Sequence, residues 1–321
     1  MLMERAEAVR GEVRRSDHRR LSHGLYLPLG AASARDEVFR DLRAWRLVLP
    51  PDSVFTHVTA AYLRGWWLPQ LPPSSPVFAA ADRVSNRPRR AGLICSRLER
   101  DAPPTDTAQG LPVDLATEVL LRSARDLALL DLVPMVDSAL RYGDVSITDL
   151  GEICETTRPG VRQLRRAVSM ADARAESPWE TLLRLFHVAV GIEVVPQANL
   201  YDAAGRWVAR ADLWVPGTPY LHEYDGRHHD RTSQRAPDLR RLRLLADALY
   251  VRRGYVADDL LNHPAPMLQE MDRELGREHR PGRLARWRRW VMESTYSEAG
   301  RRRLQNRWLR RSTPIDWSQT A

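Results

Sequence analysis

The run YLHEYDGRHHDRT (220–232) contains four side chains that can bind a metal ion or transfer a proton. They are Glu223, Asp225, His228 and His229, and they lie within a span of seven residues. Carboxylate oxygens are ligands for hard divalent cations, and an imidazole titrates near neutral pH. Together these groups favour metal-dependent hydrolysis. A solvent-exposed loop of mixed charge has the same composition, so the elements around the run must decide between the two interpretations.

The loop PGTP (216–219) predicts a hairpin that sets two acids opposite each other. If Val215 pairs with Tyr220, Asp212 faces Glu223 on one side of the ribbon. Directly opposed like charges destabilise a sheet, so this pair requires a shared proton, a nearby arginine or a bound cation. One or two carboxylates suffice for Mg²⁺, because this ion keeps several of its waters.

Arg210 and Glu180 favour different interpretations of this acidic pair. In the same register Arg210 faces Asp225, so the ribbon also fits a solvated edge whose arginine neutralises the acids. Glu180 lies in the first turn of the preceding helix, where a carboxylate has an ordinary role in stabilising the helix dipole. It also adds a third acid from a separate element. We therefore predict that Glu180, Asp212 and Glu223 converge.

The elements that must position these acids begin at residue 177. The run PWETLLRLFHVAVG is typical of a helix with Ser177 as its N-cap. Three strand-like runs follow, EVVPQANLY, RWVARADLWV and YLHEYD, joined by the turns DAAG and PGTP. An arginine-rich helix over about 234–248 and a strand over 249–253 complete the order α-β-β-β-α-β.

The preceding residues mix helices with short strands. Helices are predicted over 36–48, over 55–69 with Thr56 or Thr59 as N-cap, and repeatedly over 113–150. VFAAA and AGLICSRL are strand-like and are separated by the arginine-rich turn NRPRR. The predicted fold class is α/β (α+β) with two domains. Their bounds are 1–157 for the first domain, 158–176 for a linking helix, 177–268 for the second domain and 269–321 for a helical extension rich in arginine and tryptophan.

Charge restricts the class of partner. The chain has 321 residues, enough for two cores, and its net charge of +8 comes from arginine alone, since it contains no lysine. Residues 271–311 hold thirteen arginines against five acidic residues, a surplus equal to the whole net charge. Such a basic segment is typical of proteins that bind phosphate backbones, and also of a solvated arginine-rich helix.

Apolar runs and cysteines indicate a cytoplasmic protein without a membrane partner. No run approaches the roughly 18 apolar residues that a membrane-spanning helix needs. The first residues carry charges where a signal peptide would be apolar. Cys95 and Cys154 have neither metal-ligand spacing nor a disulfide framework.

The tail 280–311 interleaves arginines with Trp287, Trp290 and Trp308. Leu284, Trp287 and Val291 share one helical face, which predicts a helix docked on the second domain, 177–268. The same composition is typical of an arm that follows phosphates and stacks on bases. Both interpretations hold together if the tryptophans pack inward while the arginines face outward.

Residues 176–265 resemble the bacterial domain of unknown function 559, which is related to very-short-patch-repair endonucleases within the PD-(D/E)XK superfamily. The matching motifs are Asp212 in VARADLWVP, the run EYDGRHH from Glu223 to His229, Glu180 in SPWETLLR, and Gln234, Asp238, Arg241 and Leu245 of the next helix. The superfamily's lysine is absent, and Asp225 stands in its place, as in the family motif.

This resemblance implies a restriction-endonuclease-like core and a metal-dependent phosphodiesterase. Asp212 and Glu223 would hold Mg²⁺ or Mn²⁺, and Glu180 would complete the acidic cluster or orient a bound water. Asp225 and His229 are further catalytic candidates. The implied contacts to nucleic acid are Arg227, His228, Gln234, Arg240 and Arg241.

Residues 1–150 resemble AbiEi-type antitoxins of abortive-infection systems. The similar runs are HGLYLP, THVTAAYLRGWWLP and GLPVDLATEVLLRSARDLALLDLVPMVDSALRYG. In that family a winged helix-turn-helix often precedes the first run, but too few residues precede Gly24 here for a full three-helix module. We expect a truncated or degenerate winged helix, with the remaining helices as a scaffold or protein-interaction domain. His57 in the second run is expected to be a structural polar residue.

Three functions are compatible with these features. The chain is a metal-dependent DNA endonuclease, a non-catalytic DNA-binding regulator or antitoxin that keeps the nuclease fold as a scaffold, or a partner of a toxin that needs no metal. Facing carboxylates at Asp212 and Glu223 repel phosphate unless a cation lies between, so the sequence favours the endonuclease. DNA is the expected partner and Mg²⁺ or Mn²⁺ the expected cofactor. A toxin and a second copy of the chain are further candidate partners.

Overall fold

The computed structural model describes residues 8–11, 17–29, 33–82, 84–98, 106–226, 241 and 243–312, and the fold is mixed α/β. The helices are α1 (Ala34–Trp45), α2 (His57–Arg64), α3 (Ala116–Ser123), α4 (Leu129–Arg141), α5 (Ile147–Glu155), α6 (Val161–Val168), α7 (Pro178–Val190), α8 (Ala257–Leu261), α9 (Pro264–Glu274), α10 (Leu284–Glu293) and α11 (Glu298–Arg311). The strands are β1 (Val9–Arg10), β2 (His18–Ser22), β3 (Leu25–Pro28), β4 (Val54–Phe55), β5 (Val77–Ala81), β6 (Leu93–Arg97), β7 (Thr107–Ala108), β8 (Leu111–Pro112), β9 (Val195–Tyr201), β10 (Trp207–Trp214), β11 (Tyr220–Tyr224) and β12 (Val251–Tyr255). Residues 243–247 are also helical. In the described part of the chain, no helix is long and apolar enough to cross a membrane.

The chain divides by its internal contacts into two compact units. Unit 1 comprises Met1–Asp126, Arg158–Gly160 and Arg301–Ala321, and unit 2 comprises Leu127–Thr157 and Val161–Gly300. These boundaries lie at other residues than the domain boundaries predicted from the sequence, which stay predictions.

Unit 1 contains two three-stranded sheets, ordered β1-β3-β2 and β4-β5-β6. In the second sheet β5 and β6 run parallel, with Val77 beside Leu93. Parallel strands cannot be joined by a tight turn, so the turn predicted at NRPRR is wrong, and β5 and β6 are joined by a crossover of which residues 84–92 are described.

The helix α2 begins after one of the two predicted N-caps but is shorter than the predicted 55–69. Thr56 is its N-cap, and Gly65 ends it in the left-handed conformation at φ 75°. His57 is buried, with its Nδ1 accepting the N–H of Val58 at 2.8 Å and its Nε2 lying 3.2 Å from a carboxylate oxygen of Asp126. Both ring nitrogens therefore face groups of unit 1, which supports the structural role expected for this histidine.

Unit 2 contains a four-stranded sheet in the order β12-β11-β10-β9. The strands β9, β10 and β11 are antiparallel neighbours, whereas β12 runs parallel to β11. A cluster of buried apolar side chains packs on this sheet: Ala198, Leu200, Val208, Ala209, Ala211, Leu221 and Leu245. All four strands predicted for this part of the chain are present, but the last lies at Val251–Tyr255 and not at the predicted 249–253.

The helix α7 has the bounds that its sequence predicts. Ser177 is the N-cap, and its Oγ accepts the N–H of Glu180 at 3.2 Å. Pro178 occupies the first turn, where its missing N–H leaves no bond unmade, and Gly191 ends the helix at φ 70°. Local sequence thus fixes the position of Glu180 in the first turn of α7.

The linking helix predicted over 158–176 is wrong in its length, because α6 ends at Val168. Ser169 Oγ donates back to a helix carbonyl at 2.9 Å, and the Asp172 carboxylate accepts the N–H of Arg174 at 2.9 Å. Side chains that bond the nearby backbone in this way compete with continued helix.

Asp137 in α4 anchors the start of α7. Its Oδ2 accepts from Thr181 Oγ1 at 2.7 Å and from Arg184 Nη2 at 2.8 Å, and its Oδ1 accepts the N–H of Asp172 at 2.7 Å. Burial raises the pKa of this carboxyl to about 6, while the charge of Arg184 opposes the rise. The helix that carries Glu180 therefore depends on one buried, fully hydrogen-bonded carboxyl group.

The tryptophans of the C-terminal helices pack inward. In α10, Leu284 and Trp287 are fully buried, and the indole N–H of Trp287 donates to a backbone carbonyl at 2.7 Å. Trp308 in α11 is buried in unit 1, with its Nε1 donating to Asp126 at 3.0 Å. The predicted docking of the Leu284 and Trp287 face is confirmed, and neither Trp287 nor Trp308 is available to stack on a base.

The substitution Asp137→Ala is expected to lower the unfolding free energy by about 3 to 5 kcal/mol, because it leaves Arg184 buried without its counter-charge. Urea unfolding followed by tryptophan fluorescence measures the change. The control is Asp247→Ala, which removes an exposed carboxylate and should change stability by less than about 0.5 kcal/mol. Equal effects of the two substitutions would contradict the anchoring role.

Candidate functional site

The hairpin of β10 and β11 has the predicted register. Leu213 pairs with His222, which sets the preceding residue Asp212 opposite the following residue Glu223. The N–H of Tyr224 donates to Asp212 Oδ2 at 3.0 Å. Asp212 and Glu223 therefore occupy facing positions on adjacent strands, as the loop sequence predicts.

The surroundings of Asp212 oppose ionisation of its carboxyl group. Burial raises the pKa to about 7, and the negative charges of Glu180 and Glu223 act in the same direction. The hydrogen bond from Tyr224 and the positive charge of Arg241 oppose the rise. The structure thus brings the three acids close enough for their charges to interact. Within the described residues Asp212 forms no ion pair of its own.

Glu223 is buried and neutralised by two arginines. Arg241 donates to both of its carboxylate oxygens, with Nη1 lying 3.2 Å from Oε2. Arg252 donates from Nε to Oε2 at 2.5 Å. Only 5% of the Glu223 side chain is exposed, and a carboxylate this buried requires such pairing.

Arg252 is a site residue that sequence reasoning missed. It comes from β12, which pairs parallel to β11 and sets Arg252 beside Leu221. A parallel neighbour is joined through a long connection, so no local pattern indicates its register. The only sequence signal is an arginine pair in a short strand-like run, Arg252 and Arg253.

Glu180 both caps α7 and belongs to the acidic group. Its Oε2 accepts the N–H of Glu176 at 2.8 Å and the side-chain amide of Gln197 at 2.9 Å. Gln197 in β9 has a left-handed backbone at φ 51°, a conformation that is uncommon for residues other than glycine. Gln197 gave no signal in the sequence, yet it holds the carboxylate of Glu180 against the sheet.

Asp225 pairs with Arg252 and not with Arg210. Arg252 Nη2 donates to Asp225 Oδ1, whereas the guanidinium group of Arg210 pairs with Glu176 at 2.9 Å. Gly254, which pairs with Glu223 across β11 and β12, leaves room for this carboxylate, because a Cβ atom at that position would collide with Asp225 as it now lies. Arg210 therefore does not supply the neutralising charge expected for a solvated edge.

Arg241, predicted as a contact to nucleic acid, lies at the acidic group itself. Besides Glu223 it binds the backbone carbonyl of Arg210 at 2.9 Å. Its side chain is 38% exposed, so part of it is open to solvent. An arginine in this position can meet a phosphate while still touching Glu223.

Five predicted site residues lie outside the described residues: Arg227, His228, His229, Gln234 and Arg240. Their roles in proton transfer and nucleic-acid binding stay predictions.

The donor atoms of the acidic group suit a hard divalent cation. They are carboxylate oxygens, and Asp212 has no arginine of its own to satisfy its charge. No group of three or more His, Cys, Asp or Glu side chains able to hold a metal ion occurs among the described residues. Mg²⁺ needs only one or two protein carboxylates and fills its other positions with water, so Asp212 and Glu223 fit this ion.

A buried chain of polar groups lies on the other face of β11 from Glu223. His187 donates from Nδ1 to the Leu183 carbonyl at 2.7 Å, and its Nε2 lies 2.7 Å from His222 Nδ1. His222 Nε2 faces Glu274 Oε2 at 3.7 Å. Burial, and after it the charge of His222, lowers the pKa of His187 to about 3, so this ring is neutral at pH 7. The sequence did not reveal this buried chain of polar groups, because its members come from three separate elements.

Comparison with known proteins identifies no family. No family model matches the chain, and no curated protein matches it. Among solved structures, the crystal structure of RV2827C protein from Mycobacterium tuberculosis is similar over 56% of this chain and 70% of that chain, with 16% identity and a TM-score of 0.33. A likeness at this level carries no argument about fold or function.

The substitution Asp212→Asn is expected to stabilise the metal-free protein at pH 8. The pKa of Asp212, about 7, lies above its ordinary 3.8, so ionisation of this carboxyl removes stability as the pH rises between those values. Asparagine does not ionise, and the variant should be more stable by on the order of 1 to 3 kcal/mol at pH 8, with a difference that shrinks toward pH 4. Urea unfolding in EDTA at several pH values measures it.

The matched control is Asp225→Asn, which removes a neighbouring carboxylate that has an arginine partner. It should lower stability slightly or leave it unchanged at pH 8. If Asp212→Asn also fails to stabilise, the charges of the three acids do not oppose one another in solution.

Proposed function

We propose that this protein is a metal-dependent endonuclease that hydrolyses DNA phosphodiester bonds at Asp212 and Glu223. The observation that supports this most is the facing pair of carboxylates, with Glu180 close enough to raise the pKa of Asp212 further. Facing acids destabilise a hairpin. A divalent cation would relieve that repulsion and would also attract the phosphate that the acids alone repel.

We further propose that residues 177–268 form a restriction-endonuclease-like core related to domain of unknown function 559, and that the N-terminal part is related to AbiEi-type antitoxins. Support for the core comes from the order α7, β9, β10, β11, the helical residues 243–247 and β12. This is the α-β-β-β-α-β order that the resemblance implies.

At such a site the residues of the chain would have different roles. Asp212 and Glu223 would hold Mg²⁺ or Mn²⁺, which when bound lowers the pKa of a water molecule and stabilises negative charge on phosphate. Arg241 and Arg252 hold the carboxylate of Glu223 in position, because each donates to it. Glu180 would orient a water molecule, since its carboxylate is fixed by the cap of α7.

Asp225 and the histidines would act beside the acids. Arg252 fixes the carboxylate of Asp225 at the position where the superfamily has its lysine. By resemblance, His229 and His228 would donate a proton to the phosphate or the leaving oxygen. Arg241 would contact the DNA backbone, with Arg227, Gln234 and Arg240 as further contacts.

One observation favours a second candidate, a non-catalytic DNA-binding regulator or antitoxin. Glu223 is already neutralised by two arginines, so the site can persist without a metal ion. In this alternative the nuclease-like fold is a scaffold for holding DNA or a toxin. The two candidates share DNA as a partner, and only the endonuclease requires a divalent cation.

Asp212→Asn is the sharpest variant for the endonuclease, because it should abolish activity without destabilising the fold. Nicking of supercoiled plasmid DNA in Mg²⁺ or Mn²⁺ is expected to fall by more than about 100-fold, beyond the range typical of residues outside the metal's own ligands. Calorimetry should show Mn²⁺ binding to the wild type that Asp212→Asn and Glu223→Ala both weaken.

The control for contaminating nucleases is Asp247→Ala, purified in parallel, which should retain wild-type nicking. Unchanged nicking by Asp212→Asn would assign the activity to a contaminant. If the wild type binds no divalent cation even with DNA present, the scaffold function is correct instead.

A further inference from the structure

Unit 1 contains a cleft of about 370 Å³ whose lining is rich in arginine. Its cationic side chains are Arg87, Arg89 and Arg90 of the crossover 82–92 and Arg311 at the end of α11. Ile94 and Cys95 of β6 contribute to its wall. The sequence marks these arginines only as a run in a loop, and the parallel pairing of β5 with β6 makes that loop one wall of the cleft.

Most of these guanidinium groups lack a counter-charge. Among the described residues, Arg87 and Arg89 are exposed and have no ion-pair or hydrogen-bond partner. Arg90 donates to a backbone carbonyl, which is neutral, and burial lowers its pKa. Arg311 is paired with Asp126 at 2.8 Å. Positive charges gathered in a concave surface repel one another, and an anionic ligand would offset that repulsion.

The crossover is held in place by groups other than these arginines. Arg97 donates to the backbone carbonyls of Asp82 at 2.7 Å and Ser85 at 2.6 Å. At the other end, the N–H of Val77 donates to the carbonyl of Gly92 at 2.8 Å. Both ends of the segment are therefore fixed, which reduces the conformational entropy that a ligand must remove on binding.

The chemistry of the wall indicates binding and not covalent catalysis. Burial raises the pKa of the Cys95 thiol to about 11, so the thiol is protonated at neutral pH and is a poor nucleophile. Guanidinium groups donate pairs of parallel hydrogen bonds that match phosphate oxygens. The cavity volume lies within the roughly 300 to 1,000 Å³ typical of small-ligand sites, enough for one nucleotide.

We propose that this cleft binds phosphate groups of a nucleic-acid strand, with Arg87 and Arg89 on the phosphates and Arg90 deeper in the cleft. Ile94 would contact the sugar or the base. A free nucleotide carries the same phosphate chemistry and is the other source of such a ligand. The site lies in unit 1 and does not depend on the acids of unit 2.

The test compares two double variants of the full chain that lose the same charge. Arg87→Gln/Arg89→Gln removes the unpaired arginines of the cleft. Arg162→Gln/Arg166→Gln removes two exposed arginines of α6 in unit 2. Fluorescence anisotropy in EDTA measures binding of a labelled single strand of about 12 nucleotides, a length within the range that such sites cover. A labelled adenosine triphosphate analogue is the second probe.

The cleft variant should bind the strand at least about tenfold more weakly, and the slope of log affinity against log salt should fall by about 0.7 for each phosphate that the variant no longer neutralises. The α6 variant should change affinity by less than about twofold, since it removes only long-range attraction. Circular dichroism confirms that both variants are folded. Equal weakening by the two variants for both probes overturns the proposal, because it would leave only nonspecific attraction. Weaker binding confined to the triphosphate probe supports the cleft and identifies a free nucleotide as its ligand.

Cys95 gives an independent readout of where the ligand lies. Alkylation by iodoacetamide at about pH 9, measured by mass spectrometry, should be slowed at Cys95 by the strand or by the triphosphate probe. The half-buried Cys154 of unit 2 is the internal control and should react at an unchanged rate. Protection of neither thiol, or of both equally, contradicts binding in the cleft.

Discussion

The burial of the Glu223 carboxylate is the constraint on which the rest of the acidic site depends. An ionised carboxylate removed from water must be paired with cations and hydrogen bonds. Arg241 and Arg252 supply them, one from beside the helical residues 243–247 and one from β12. These two ion pairs thus link the helical segment and the parallel strand β12 to the hairpin. Because both arginines pair with Glu223, Asp212 has no arginine partner among the described residues.

The three acids differ in how the protein satisfies them. The cap of α7 and the amide of Gln197 hold Glu180, and two arginines hold Glu223. Asp212 receives one backbone hydrogen bond, and its pKa rises to about 7. A buried carboxyl group with a pKa raised in this way is typical of functional sites, where stability is given up for chemistry.

Uncompensated charge of opposite sign occurs in unit 1. There the crossover between β5 and β6 presents Arg87 and Arg89, which have no acidic partner among the described residues. In the described part of unit 2 the carboxyl group of Asp212 has no ion-pair partner, and in the described part of unit 1 the same is true of Arg87 and Arg89. The proposed cation of unit 2 and the proposed phosphate ligand of unit 1 both rest on this kind of observation, an ionisable side chain without a partner of opposite charge among the described residues.

The sequence by itself determined the local features of this protein. The loop PGTP and the alternation of the strands predict the register that sets Asp212 opposite Glu223, and the Ser177 cap predicts where Glu180 leaves α7. These features depend on neighbouring residues, whose backbone preferences act over a few positions. Only tertiary structure decided which arginines reach the acids and that β5 and β6 run parallel. Those outcomes depend on contacts between residues far apart in the chain, for which a single sequence has no periodic signal.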